Sequence, residues 1–189
     1  MKFNKPKFWD LKKPNLLSHL LLPFTIFPQI NNFLLKLKSK RKSKEVKTIC
    51  VGNIYLGGTG KTPLTIKLFD ILKDLKIKIA TAKKYYLSQT DEQIMLKTKT
   101  NFITSKTRKK IIEKSIQEKI DLIIFDDGLQ DKNLNYDIQF VCFDSDTWIG
   151  NGRLIPSGPL RENLSSLKKY DAIFLKTHNK NNVDDLIHS

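Results

Sequence analysis

Cysteine, arginine and acidic residues are all scarce in this sequence of 189 residues. The two cysteines, Cys50 and Cys142, lie inside apolar runs (TICVG and FVCFD) with no spaced partners. That excludes a disulfide scaffold and a cysteine-based zinc site and fits buried free thiols in a reducing compartment. The 19 Asp and Glu face 34 Lys and Arg, leaving a net charge of +15 and a pI near 9.7. Only four of those basic residues are arginines, while lysine, asparagine and isoleucine are abundant together, a bias that an AT-rich genome produces without selection for binding. No base-stacking motif accompanies the charge, so nucleic acid is not an expected partner. The length excludes two large domains. With 40% hydrophobic and 28% charged residues, the chain has apolar material for a globular core that removes roughly 70% of the unfolded surface from water.

The charge is unevenly placed. Residues 1–47 hold twelve Lys or Arg against Asp10 and Glu45, an asymmetry that points to an anionic surface. Between Lys12-Lys13 and the KLKSKRKSK run at residues 36–44, the 21 residues from Asn15 to Leu35 carry no formal charge. That length would just span a bilayer, but Pro23, Pro28, His19 and the Ser, Asn and Gln of the run would leave polar groups to satisfy in lipid. Lying at the interface is physically easier: Leu, Phe and Ile are shallowly buried and each lysine near anionic headgroups contributes about 1 kcal/mol. The alternative is a helix pair packed on the domain behind it. No small-residue cleavage site follows, so a signal peptide is not expected. The expected organisation is a membrane-associating segment at residues 1–47, hydrophobic, basic and helical, followed by one domain at residues 48–189.

After residue 47 short β-rich runs alternate with helical stretches at the spacing of βαβ units. The candidate strands are Thr48–Val51, Ile77–Ala82, Phe102–Thr104, Asp121–Phe125, Ile138–Phe143 and Ala172–Leu175. Leu64, Leu68, Ile71, Leu72 and Leu75 recur at helical spacing over Pro63–Leu75, and Ile111, Ile112 and Ile116 do so over Arg108–Lys119. The pattern predicts an α/β fold, a largely parallel sheet flanked by helices. Lys83–Lys97 reads as an irregular loop and Gly150–Glu162, rich in Gly and Pro, as another. In an open α/β sheet, loops beyond the carboxyl ends of strands hold ligands.

Strand Thr48–Val51 runs into Gly52-Asn53-Ile54-Tyr55-Leu56-Gly57-Gly58-Thr59-Gly60-Lys61-Thr62, with Pro63 in the first turn of the helix that follows. Glycines let backbone N–H groups converge on phosphate oxygens, and the helix N-terminus adds partial positive charge. Lys61 reaches the β- and γ-phosphates, and the Thr62 hydroxyl can ligate Mg²⁺. The segment Tyr55, Leu56, Gly57, Gly58, Thr59, Gly60, Lys61 and Thr62 is therefore the expected nucleoside-triphosphate-binding element of a P-loop-like fold. It departs from the strict pattern at Tyr55, where a glycine would stand six residues before the lysine. A second element agrees: the apolar strand Asp121–Phe125 ends in Asp126-Asp127-Gly128-Leu129-Gln130, which puts two carboxylates at a strand's carboxyl end, where a nucleotide-bound Mg²⁺ would lie.

The loop in its form VGNIYLGGTGKTP, then DDGLQ, then GNGRLIPSGPLRE at residues 150–162, resembles the tetraacyldisaccharide 4′-kinases of lipid A biosynthesis. KPKFWD at residues 5–10 and the hydrophobic segment up to Pro28 also look like that family's start, so the resemblance covers nearly the whole chain. It implies a peripheral enzyme on the cytoplasmic face of the bacterial inner membrane. Such an enzyme moves the γ-phosphate of ATP, with Mg²⁺, to the 4′-hydroxyl of a lipid A disaccharide 1-phosphate. Carried over by position, Lys61 and Thr62 match the phosphate and metal positions, Asp126 and Asp127 the acidic pair, and Arg161 and Glu162 a substrate-loop motif. The family's catalytic aspartate precedes Glu-Pro; Asp91 before Glu92 and Gln93 is the match, so Lys61, Asp91 and Asp127 are the candidate catalytic residues, with Thr62 and Asp126 for the metal. The family's Arg-Gly-Tyr-Gly stands here as Lys83-Lys84-Tyr85-Tyr86, and the histidine usual after the Gln of the acidic motif is Asp131.

The family carries a second α/β lobe after the GPLRE motif, and this sequence stops at Ser189. The end HNKNNVDDLIHS reads either as the start of that lobe or as the terminus of a reduced enzyme, with self-association or a partner chain as the replacement for the lobe. A nucleotide-dependent ATPase switch, or an inactive ATP-binding remnant, remains the alternative, because phosphate-loop folds host several functions.

Overall fold

The computed structural model describes residues 5–27, 29–30, 45–87, 90–131 and 133–177. The KLKSKRKSK run and the end HNKNNVDDLIHS lie outside the described residues. The sheet has six parallel strands in the order β3-β2-β4-β1-β5-β6, where β1 is Lys47–Gly52, β2 Ile79–Lys84, β3 Phe102–Ser105, β4 Leu122–Asp126, β5 Ile138–Asp144 and β6 Ala172–Lys176. The chain divides into two compact units.

One unit comprises Lys38–Gly52 and Lys61–Phe140. Its central strand β4 pairs in parallel with β1 on one side (Lys47 opposite Leu122 through Val51 opposite Asp126) and with β2 on the other (Ile79 opposite Leu122 through Ala82 opposite Phe125). Strand β3 lies outside β2, Thr81 opposite Phe102. Ile123, Ile124 and Phe125 have no exposed surface, as expected of a strand covered on both faces, and this is why its sequence is a continuous apolar run rather than an alternation. Helix α2 (Lys61–Leu72) buries Thr65 and Ile66 along with its first two residues. Helix α4 (Arg108–Gln117) is capped by the Thr107 hydroxyl, which accepts the Lys110 N–H at 3.3 Å, and buries Ile111 and Ser115 one turn apart.

Helix α3 (Thr90–Lys99) corrects the reading of Lys83–Lys97 as irregular. Its apolar residues Ile94, Met95 and Leu96 are consecutive instead of spaced by three and four, and only Leu96 and Gln93 are buried. The helix therefore has no apolar stripe by which sequence could reveal it. Strand β2 likewise runs two residues past the expected Ala82, to Lys84.

The other unit comprises Met1–Leu37, Asn53–Gly60 and Val141–Ser189. Among its described residues are a short helix α1 (Leu16–Leu20), capped by Asn15 accepting the Ser18 N–H at 2.9 Å, and two 3₁₀ turns at Lys7–Asp10 and Leu22–Thr25. Trp9 and Ser18 are built into the Gly150–Glu162 segment. Trp9 is buried, its indole N–H donates to the Pro156 carbonyl at 3.0 Å, and its own carbonyl accepts the Asn151 N–H at 2.9 Å. Ser18 and Ser157 each donate a hydroxyl to the other's carbonyl at 2.6 Å, with the Asn151 amide closing the knot. The polar Ser18 and Thr25 are buried while Leu16, Leu20, Phe24 and Phe27 stand more than half exposed. Among the described residues no helix is long and apolar enough to cross a membrane.

Candidate active site

In the unit that holds Asn53–Gly60, the glycine loop is shaped by its own neighbours. The fully buried Asn53 amide donates to the carbonyls of Tyr55 and of Gly57, the latter at 3.2 Å. The loop's outer edge is strapped by the GPLRE motif: the Leu56 N–H donates to Pro159 O at 2.9 Å, the Arg161 N–H donates to Ile54 O at 2.7 Å, and Tyr55 and Leu160 form an antiparallel bridge. Glu162 is buried and accepts the Tyr170 hydroxyl at 3.2 Å. Gly60 has φ +80°, a conformation that a side chain would strain, and a Cβ there would meet the Lys176 stem at 3.2 Å.

Tyr55 explains its own departure from the phosphate-loop pattern. Its ring is 1% exposed, its hydroxyl donates to Asp10 and accepts from the Lys5 ammonium at 2.8 Å, and that ammonium sits 5.0 Å from the ring centre. The side chain is an anchor for the KPKFWD segment, which sequence reasoning had no means to pair with it. Within the segment assigned to the nucleotide, the Tyr55 side chain is thus engaged elsewhere.

In the other unit, α2 begins on Lys61 and Thr62, both buried. The Thr62 hydroxyl donates to Oδ2 of Asp126 at 2.8 Å. Asp126 has no exposed surface, and its Oδ1 is buried without a partner among the described residues. The same Oδ2 accepts the ammonium of Lys83 at 2.8 Å, and Lys83 also pairs with Glu92 in the first turn of α3. Register accounts for the meeting: with Ala82 opposite Phe125, the next residues of two adjacent parallel strands are Lys83 and Asp126. Burial by itself would lower the Lys83 pKa, but Asp126 and then Glu92 outweigh it and hold the ammonium above its ordinary value. Burial pushes the Asp126 carboxyl up, against the pull of Lys83, the Thr62 hydroxyl and Lys61.

The turn after Asp126 is fixed as tightly. Asp127 has φ 65°, donates its N–H to Val51 O at 2.9 Å, and offers its carbonyl to the Arg108 guanidinium. Arg108 also pairs with Asp131 at 2.7 Å. A Cβ on Gly128 would collide with the Tyr136 hydroxyl and the Cys50 sulfur, so only glycine follows Asp127 without displacing them. Asp91 stands exposed within the first turn of α3, with no hydrogen bond or ion pair to a described residue.

The site therefore brings Lys61, Thr62 and Asp126 together as the motifs implied, and adds Lys83, Glu92 and Arg108, which sequence reasoning did not assign. The signal for Lys83 is a lysine that directly follows the small and apolar run Ile79-Ala80-Thr81-Ala82 within one strand. Mg²⁺ fits the donors present. An orphaned carboxylate oxygen beside a threonine hydroxyl suits a hard cation that takes most of its ligands from phosphate and water, and among the described residues no cluster of three or more His, Cys, Asp or Glu offers an all-protein cage instead.

A parallel sheet whose first strand feeds a glycine loop, a helix that starts on Lys-Thr, and an acid at the end of the neighbouring strand define a phosphate-loop nucleotide-binding protein. Within that class the chain belongs to the tetraacyldisaccharide-1-P 4′-kinase family, LpxK, whose model matches residues 15–188. It is 50% identical over 177 residues to the tetraacyldisaccharide 4′-kinase of Pelagibacter ubique, covering 93% of this chain and 55% of that protein. It is 32% identical over 199 residues to the enzyme of the same name from Rickettsia africae, covering 96% and 61%. The crystal structure of LpxK from Aquifex aeolicus in complex with ATP superposes with a TM-score of 0.71 at 26% identity, covering 85% of this chain and 59% of that one. The chain thus spans a little over half the length of the relatives it matches.

Proposed function

We propose that this chain binds MgATP and carries the phosphoryl-donor half of a kinase that phosphorylates the 4′-hydroxyl of a tetraacyl lipid A disaccharide 1-phosphate. The observation that carries the reading is the Thr62–Asp126 contact beside the orphaned Asp126 oxygen, at the start of the helix that a glycine loop feeds. Phosphoryl transfer asks mainly for positioning and charge neutralisation. The loop Gly57–Gly60 wraps the phosphates with backbone N–H groups, and Lys61 takes charge from the β- and γ-oxygens. Thr62 and Asp126 would hold Mg²⁺, which neutralises charge on the phosphate oxygens when bound. Asp91 accepts the proton of the acceptor hydroxyl, a role its exposed place on α3 leaves open to an incoming substrate. Asp127 orients the turn that carries Asp126, and Arg161 and Glu162 serve the substrate side.

The exposed Leu16, Leu20, Phe24 and Phe27, together with the lysine-rich sequence around them, support peripheral attachment to an anionic membrane, on the cytoplasmic face where ATP is at hand. The test is transfer of label from γ-³²P-ATP to a lipid A disaccharide 1-phosphate in detergent. It is run with this chain alone and with the remaining length of the Pelagibacter relative supplied in trans. Labelled lipid in either arm supports the reading. ATP hydrolysis without labelled lipid in both arms would instead indicate an ATPase, and absence of nucleotide binding would refute the site itself.

A further inference from the structure

We propose that Lys83 is a further catalytic residue. Its ammonium, which pairs with Asp126 and with Glu92, becomes a ligand of the terminal phosphate of a bound nucleoside triphosphate and holds it through the transfer. The proposal rests on the reading that this site binds a nucleoside triphosphate.

Three observations carry it. First, place: Lys83 is at the carboxyl end of β2, beside the end of β4, and the carboxyl ends of the strands are the side on which open α/β sheets hold their ligands. Its side chain is 1% exposed, and burying a lysine is costly without a charged partner.

Second, the accounting at Asp126: Oδ2 takes two donors, Thr62 and Lys83, while Oδ1 takes none among the described residues. The observed arrangement is that of a counter-ion facing a carboxylate that keeps one oxygen in reserve. Asp126 would hold a cation through the oxygen in reserve, and a polyphosphate bound beside it would offer the Lys83 ammonium a charged acceptor of its own.

Third, the other tether is weak. Glu92 is 43% exposed, so its hold on the ammonium is diluted by water. A lysine head on a flexible four-carbon stem can pivot away from it with no backbone movement. Lys83 also differs in origin from Lys61: one comes from a strand end and the other from a helix start, so the two can approach a phosphoryl group from different sides.

The experiment measures the dissociation constants of a non-hydrolysable ATP analogue and of ADP, each with Mg²⁺, for the wild-type chain, Lys83→Met and Glu92→Gln, alongside thermal melts. The ratio of the two constants reads the contact to the terminal phosphate. Lys83→Met is expected to lose about tenfold or more of the preference for the analogue over ADP, the scale of one charge-assisted hydrogen bond. Glu92→Gln is expected to raise that preference, because the ammonium is released from its competitor. If Lys83 is only a strut joining α3 to β4, both variants lower the melting temperature and leave the ratio where it was, and that result overturns the proposal. Should Lys83→Met fail to fold, Glu92→Gln decides alone: a ratio that stays level or falls refutes the contact. Failure of the wild-type chain to bind either nucleotide would sink the site reading instead, which keeps the two failures distinct.

Discussion

The Arg108–Asp131 pair supplies the sharpest test of how the acidic turn is held. Arg108 is 10% exposed and Asp131 15%; they meet at 2.7 Å, and the same guanidinium donates to the Asp127 carbonyl. Arg108→Ala removes both bonds and leaves a half-buried carboxylate and a carbonyl to find new partners. Hydrogen bonds to charged groups contribute about 1.5–3 kcal/mol each, and stripping one partner from a buried pair costs about 3–5 kcal/mol. A loss of roughly 3 kcal/mol is expected, since residual exposure softens the upper figure. Asp131→Asn keeps the shape and the contacts with Asn133 and should cost about 1–2 kcal/mol. The double-mutant coupling, read by urea denaturation at pH 7, should be about 1.5–3 kcal/mol.

The pH dependence carries a sign. Burial alone would raise the Asp131 carboxyl, but the Asn133 N–H and the Arg108 guanidinium outweigh it and hold it below its ordinary value. A carboxyl depressed in the folded state binds its proton more readily once unfolded. Its contribution is therefore complete above the unfolded pKa, about 3.9, and fades as pH falls through the lower folded value. The coupling should be constant from neutral pH down to about pH 5 and shrink below about pH 4. A coupling under about 0.5 kcal/mol at pH 7, or one that persists unchanged in strong acid, would refute the clamp.

Other consequences are simpler to read. Lys61→Ala should weaken nucleotide binding and abolish turnover, because the ammonium neutralises charge on the transferring group as well as in the ground state; full turnover would remove the phosphate-loop assignment. Asp91→Asn should cost about 10²–10⁴-fold in the single-turnover rate with MgATP affinity unmoved, and a normal rate would transfer the role of base elsewhere. Replacing Leu16, Leu20, Phe24 and Phe27 by serine should release the chain from anionic vesicles in a flotation assay without altering nucleotide affinity; equal flotation would argue that this face has no part in attachment. Substitution is preferable to deleting the segment, because Trp9 and Ser18 are part of their unit's interior. Cys50 and Cys142 are both buried, and burial pushes the Cys50 thiol well up, so neither should react with a thiol reagent until denaturant is added.

What the sequence determined by itself is whatever depends on near neighbours. The glycine loop, Lys61 and Thr62 follow one another along the chain, so strand, loop and helix start are legible as one run, and Asp126 is legible because it ends an unbroken apolar strand. Six strands were recognisable from β-rich runs between turn residues for the same reason. The tertiary structure decided which strands are neighbours. Nothing local says that β2 lies beside β4, yet that order and its register put Lys83 against Asp126, and a helix without an apolar stripe brings Glu92 to the same ammonium. Tyr55 looked like a flaw in a phosphate loop until Lys5 and Asp10, some fifty residues earlier, closed on its hydroxyl. Such meetings are fixed by strand order and by the packing of side chains far apart in sequence, and these long-range terms have no period or spacing along the chain.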